Sequence, residues 1–283
     1  MGNSRLLQFA SRALTAIVMT VFMLGAGNAL AQSTIFVSST TGSDAFNGAS
    51  ATIAGGSGPK QTLGAAYAAA SAGDTISIEA GTYGENFDFT TAGKGVVVEV
   101  RSPGGVTVAT FTGTSTIDVT TATIDLTGGV GSVAVSGGAF TLTSGTISLG
   151  AGKLAFTAAT ALTVTGGTAT GASPAYTGAV TASYTKTAAG SAGTELPASL
   201  NAGGTLTVNG PSSTTFPNAL TAPGGITVAA TATGTTTFNG AVAVTGASGV
   251  TFAGGFNDVV FNSTVNMGNG TLSTTGGGTT PSV

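Results

Sequence analysis

The chain has no cysteine, no histidine and no tryptophan in 283 residues. Without cysteine there is no disulfide framework and no thiolate metal site. Without histidine, the commonest neutral-pH acid/base and the commonest metal ligand are missing. Ser-His-Asp and Cys-His catalytic sets are therefore excluded. With no tryptophan and four tyrosines, platforms for stacking a sugar ring are few. Charge is scarce too: 6% of residues are charged, against roughly 25% in ordinary soluble domains. The seven basic residues form no patch, so nucleic acid is not an expected partner.

What is present points to strands and turns. Glycine supplies 47 of the 283 residues, well above the usual level of about 7%. Disorder goes with low hydrophobicity and high net charge, whereas 41% of this chain is hydrophobic and its net charge is −3. Threonine, valine and glycine with little charge suit short strands and tight turns. A core held without disulfides must rest on packing and backbone pairing.

The N-terminus reads as a secretory signal. Arg5 and Arg12 form the positive end, Ala13 to Leu24 the apolar core, and Ala29-Leu30-Ala31 a small-x-small cleavage site. Cleavage is expected before Gln32, and no cysteine stands there to take a lipid. The alternative is an uncleaved anchor, for which the apolar core is short against a span of about 20 residues. Cleavage at that point leaves 283 − 31 = 252 residues, with 7 − 2 = 5 basic and 10 acidic groups. The expected location is secreted or cell-surface, with no membrane span after signal removal.

Gln61 to Phe89 organises the rest of the chain. Leu63, Ala66, Tyr67 and Ala70 make one helical stripe, with Gly73 as a stop. Asp74 to Glu79 then switches to period two, with Ile76 and Ile78 on one face. Before the helix stand Ile35-Phe36-Val37 and the GSDAFNG loop from Gly42 to Gly48; after it come Gly73-Asp74-Thr75-Ile76 and Gly81-Thr82-Tyr83-Gly84-Glu85. This series resembles the opening segment of right-handed parallel β-helix proteins, the pectin-lyase-like superfamily, over residues 34–89. The resemblance implies an all-β solenoid with a short N-terminal capping helix. That superfamily holds polysaccharide lyases, hydrolases, adhesins and proteins of unknown role, so the fold does not settle function.

Beyond Phe89 the chain shows only a style of repeat. The apolar markers Val119, Leu126, Val135, Leu142, Leu149, Phe156 and Val164 are spaced by 7, 9, 7, 7, 7 and 8 residues. Three strand units give about 22 residues per coil, within the range of solenoid periods. Thr-x-Thr pairs begin at Thr121, Thr141, Thr163, Thr185 and Thr205, spaced by 20, 22, 22 and 20. They are expected to face outward and stack, with Lys186 turned inward and spoiling one copy. Gly171 to Gly203, with Pro174, Glu195 and Pro197, is weaker in pattern and is expected to contain an outward loop. The domain reading is signal 1–31, N-terminal cap segment 32–89, about eight coils over 90–275 and a loose tail 276–283. A β-sandwich or a partly disordered stalk is the runner-up. No cap is visible after Met267, so self-association through the C-terminal coil is an expected partner mode.

Chemistry, if any, must come from carboxylates and lysine or arginine. Lyases of the resembled superfamily use clustered acids for Ca²⁺ and a Lys or Arg base. The acids of the coil region are Glu99, Asp118, Asp125, Glu195 and Asp258, and the bases are Lys94, Arg101, Lys153 and Lys186. Asp118 and Asp125 sit on successive strand units, on adjacent faces or round a corner. Glu99 lies 19 residues before Asp118 and is expected to stack beside it in the neighbouring coil. Both readings stay open, a weak cation or sugar site and exposed solvated acids. Asp44 is a turn acid or a Ca²⁺ ligand. Tyr83 and Glu85 pack under the cap or line a cleft. Asn262-Ser263-Thr264 and Asn269-Gly270-Thr271 match glycosylation acceptors.

No catalytic, metal or cofactor-binding residue is assigned, and no cofactor is expected. The favoured function is an exported, non-catalytic structural or adhesive protein, with surface or polysaccharide contact as a partner mode. The alternatives are a polysaccharide lyase or hydrolase, or its inactive descendant, and ice binding through the Thr columns.

Overall fold

A computed structural model describes residues 32–89, 94–102, 107–113, 116–119, 123–229, 231–253 and 258–275. The signal segment with its cleavage site, the tail 276–283, and Thr121 of the threonine pattern lie outside the described residues. All the coils belong to one compact unit, Ser33–Val283. No helix among the described residues is long and apolar enough to cross a membrane.

The fold is an all-β parallel β-helix of about eight turns with one short helix. Each full turn contributes one short strand to each of three faces. The continuous face is a single sheet of eight strands, from Thr116–Val119 to Leu272–Thr275. The second face starts as a six-stranded sheet, Thr34–Val37 to Thr168–Gly171, and resumes as a four-stranded sheet, Gly190–Ser191 to Val259–Phe261. The third has five strands, Gly81–Tyr83 to Ala175–Tyr176, then three, Leu220–Thr221 to Val265–Asn266. Two of the three sheets are thus interrupted in the same coil.

Alternation drives the strands. Thr123–Leu126, Ser132–Val135, Ala139–Leu142 and Thr146–Leu149 each bury their second and fourth residues. The markers Leu126, Val135, Leu142, Leu149, Phe156 and Val164 are all buried. Like side chains stack from coil to coil: Phe216, Phe238 and Phe261 follow one another at 4.8 and 5.1 Å between ring centroids. Burying each such side chain is worth about 1.5–3 kcal/mol. On the continuous face Thr141, Thr163, Ser183, Thr207, Thr227, Thr251 and Ser273 are in register, in steps of 22, 20, 24, 20, 24 and 22 residues. The corners absorb the variation. At Gly249, with φ of 70°, an added Cβ would lie 1.9 Å from the Thr271 carbonyl oxygen, so only glycine lets the coils close there.

The helix Leu63–Ala69 buries Leu63, Ala66 and Tyr67, and Thr62 caps it by accepting from the Ala65 N–H at 3.1 Å. Covering the first coil is a task shared with the preceding loop. Phe36 N–H donates to Gly48 O, Lys60 N–H to Phe36 O, and Ser38 N–H to Lys60 O, which pairs the outer edge of the first strand.

Candidate functional site

Two features stand out, an outer wall and an inner junction. On the continuous face, Phe140, Leu162, Ala182, Leu206, Ile226 and Val250 fill the interior. The alternate positions must face out, and these are the seven hydroxyl residues from Thr141 to Ser273. With strands about 4.8 Å apart, the seven rungs span roughly 29 Å. Within this ladder no charged and no aromatic side chain intervenes. Its last rungs touch, Thr251 Oγ1 to Ser273 Oγ at 3.1 Å. The ladder differs from the threonine pairing expected from spacing. The 20-residue step puts Ser183, not Thr185, beside Thr163. Lys186 is buried, so it does not break the wall.

The junction lies where the second and third faces are interrupted. It falls within Gly171 to Gly203, the stretch expected to contain an outward loop. That stretch carries the strands Ala175–Tyr176, Val180–Tyr184 and Gly190–Ser191, and Glu195 is 0% exposed. Glu195 Oε2 accepts the Ala169 N–H at 2.9 Å from the coil below. Oε1 accepts the Gly193 N–H at 2.8 Å and the Tyr184 hydroxyl at 3.0 Å. The Tyr176 hydroxyl donates to the Glu195 carbonyl at 2.7 Å. A Cβ on Gly193 would sit 2.2 Å from Ala169 O and 2.5 Å from Glu195 Oε2, so this bracket requires glycine. Asn201, in the left-handed region with φ of 61°, serves the third face. Its Nδ2 donates to Tyr176 O at 3.0 Å and to Gly178 O at 2.8 Å. Two side chains thus stand in for missing ladder rungs. Asn201 was not singled out from the sequence; the Asn-Ala-Gly-Gly turn around it was the available signal.

Burial pushes the Tyr184 and Tyr176 hydroxyls well above the ordinary phenol range, and the Glu195 charge adds to it. Burial also lowers the Lys186 ammonium, while Glu195 pulls it back up. The cluster looks like acid/base equipment, but Glu195 and Tyr184 are fully buried and both carboxylate oxygens are occupied by protein donors. The geometry is that of an interior bracket.

The other acids and bases are dispersed. Asp118 lies on the continuous face opposite Thr141, and Asp125 lies on the second face opposite Val97 and Ser148. The two are on different faces, as their spacing suggested. Glu99 also belongs to the second face, opposite Ser77, which overturns its expected stacking on Asp118. The third-face strand Val108–Phe111 lies between the strands that carry Glu99 and Asp118, so their 19-residue offset is less than one full turn. Arg101 pairs with Glu79 at 3.0 Å. Lys94 donates to Ala68 O at 2.8 Å, and Lys153 to Gly129 O and Gly131 O. Among the described residues no three acidic side chains converge on a metal position.

At the N-terminal end, Asp44 Oδ1 accepts the Gln61 and Thr62 N–H groups and Oδ2 the Thr62 hydroxyl, each at 2.9 Å. Its donors are therefore at the helix start rather than in its own turn. Glu85 accepts the Leu63 N–H at 2.7 Å. Burial raises the Glu85 carboxyl, the Leu63 and Gly64 N–H groups lower it, and Asp44 raises it further, for a net rise. Tyr83 is buried and stacks on Phe111 at 4.9 Å. No family model, no curated protein and no solved structure gives a significant match to this chain.

Proposed function

We propose that this protein is an exported, non-catalytic β-solenoid that serves as a structural or adhesive surface, with the hydroxyl wall as its contact face. The observation that carries this reading is the unbroken run from Thr141 to Ser273, uncharged and regular. Its rungs offer donors and acceptors at one repeat, suited to an equally regular neutral partner such as a polysaccharide fibre. Co-sedimentation with an insoluble neutral polysaccharide tests it. The wild type is expected to bind, and the double variant Thr163→Lys/Thr207→Lys to lose binding. Equal binding by the two overturns the reading. Export is tested separately: the N-terminus of the secreted protein is expected at Gln32, and a mature chain that keeps Arg5 and Arg12 rules it out.

The resemblance of residues 34–89 to pectin-lyase-like proteins leaves a lyase, or an inactive descendant, as the alternative. The bases speak against activity, since Lys94, Arg101 and Lys153 are each tied to protein acceptors. Acidic polysaccharide with Ca²⁺ is expected to yield no unsaturated product. Release that vanishes on Lys94→Ala, Arg101→Ala or Lys153→Ala reverses this conclusion.

A second reading, ice binding, is favoured by one observation, that Lys186 points inward and leaves the wall whole. Rows of methyl and hydroxyl groups without charge can order water. Ice-crystal shaping by the wild type, lost in Thr163→Lys, selects this reading over adhesion; unshaped crystals discard it.

A further inference from the structure

The chain has four lysines, and three of them are tied to backbone carbonyls. Lys60 Nζ donates to Asp44 O, Lys94 Nζ to Tyr67 O and Ala68 O, and Lys153 Nζ to Gly129 O and Gly131 O. Lys186 differs. It is 5% exposed, yet among the described residues its ammonium meets no hydrogen-bond acceptor and no ion-pair partner. Glu195 acts on it through charge alone, since both carboxylate oxygens are held by other donors. A buried ammonium with its N–H groups unused calls for a further occupant or a chemical use.

Gly190 sets the space beside it. Among the described residues, Gly190–Ser191 is the edge strand of its sheet and pairs with Thr214–Phe216 alone. In the coils that follow, the same position holds Thr214, Thr236 and Val259, all buried. A Cβ on Gly190 would lie 3.5 Å from Lys186 Nζ and 4.0 Å from its Cδ, and would meet no other side chain. The amine therefore borders the room that this glycine leaves in the column. Nζ is not fully enclosed, and Thr187, Ala188, Ala189 and Ser191 around it are exposed.

We propose that Lys186 is a reactive amine that takes up a small aldehyde as a Schiff base. Its lone pair attacks the carbonyl carbon and a C–N bond forms. The two hydrogens of the amine leave with the carbonyl oxygen as water, so the step needs no oxidant, reductant or activated partner. Burial favours the neutral, nucleophilic amine, and the Glu195 charge offsets this only in part. Once formed and protonated, the imine keeps the positive charge of the ammonium, and Glu195 goes on compensating it. The same negative charge opposes a free anion as the occupant. The room is that of one small side chain, which admits a short aldehyde and not a polymer. This inference is independent of the adhesive reading, because Lys186 lies inside the coil while the wall hydroxyls face out.

Reductive trapping of the purified, folded protein is the test. Glycolaldehyde with cyanoborohydride at neutral pH turns each imine into a stable secondary amine, and peptide mass spectrometry reads which lysine carries it. Label is expected at Lys186 several-fold above Lys60, Lys94 and Lys153. In denaturant the four lysines are expected to label alike. Lys186→Arg keeps a positive charge and is expected to leave only the weak label at the other three. Gly190→Thr gives the column the side chain that Thr214 and Thr236 supply in later coils. It is expected to lower the label at Lys186 several-fold while the circular dichroism stays that of the wild type. Label no higher at Lys186 than at the other lysines of the folded wild type overturns the inference. So does a preference for Lys186 that persists in denaturant, or one that Gly190→Thr leaves intact in a protein of unchanged circular dichroism.

Discussion

Glu195 shows how much a single residue can set in a chain with few charges. Its carboxylate satisfies Ala169 N–H, Gly193 N–H and the Tyr184 hydroxyl, three donors that burial would otherwise strand. Glutamine has one acceptor oxygen and turns an NH₂ towards a donor. Glu195→Gln therefore leaves at least one buried donor unsatisfied, at a cost of about 1–3 kcal/mol. It also removes the negative charge that steadies buried Lys186. Denaturant unfolding is expected to show a loss of about 2 kcal/mol or more. Lys186→Met in the same chain is expected to recover part of it, because the uncompensated cation is gone. Strictly additive losses in the double variant argue that the two residues do not share one environment.

At the scale of the element, the junction and the wall call for opposite expectations. Asn201 combines a left-handed backbone with two donated bonds across the interrupted third face. Asn201→Gly keeps the backbone and loses the bonds; Asn201→Ala loses both. The glycine variant is expected to be the more stable of the two by about 1 kcal/mol, the difference being the left-handed strain. Equal melting curves for the pair disprove that strain. On the wall, the Thr163 hydroxyl is in no such bracket, and Thr163→Val is expected to change stability by no more than about 0.5 kcal/mol. The fold's elements were legible where a local pattern decided them. The helix stripe at Leu63, Ala66 and Tyr67 and the alternation of Thr146–Leu149 are read from neighbours a few residues apart. The wall's register was not legible, because coils of 20 to 24 residues shift each rung by corner geometry. The junction was not legible either. Glu195 stands among glycine and proline and looks like a loop acid; what buries it are Tyr184 and Ala169, 11 and 26 residues away.

For the whole molecule, the set of buried titratable groups fixes the response to alkali. All four tyrosines hold their protons above the ordinary phenol range, chiefly because burial disfavours the charged form. Tyr184 has the Glu195 carboxylate beside it as well. In the unfolded chain a phenol titrates near 10. Above that value the unfolded state gives up protons that the folded state keeps. The tyrosine contribution is thus complete below about pH 10 and drains away as pH rises towards the folded values. Lys186 acts with the opposite sign. Its folded value is lowered, so the cost of its buried charge falls away as pH rises through that value, while the unfolded lysine stays protonated to about 10.4. The two effects meet near pH 10. Unfolding free energy is expected to be flat or gently rising up to about pH 10 and to drop steeply beyond it. Tyrosinate absorbance is expected to appear in one cooperative step together with loss of the β signal in circular dichroism. Phenols that ionise one by one near pH 10 while the β signal persists would contradict this account, since a coil that releases its interior tyrosines without opening does not bury them.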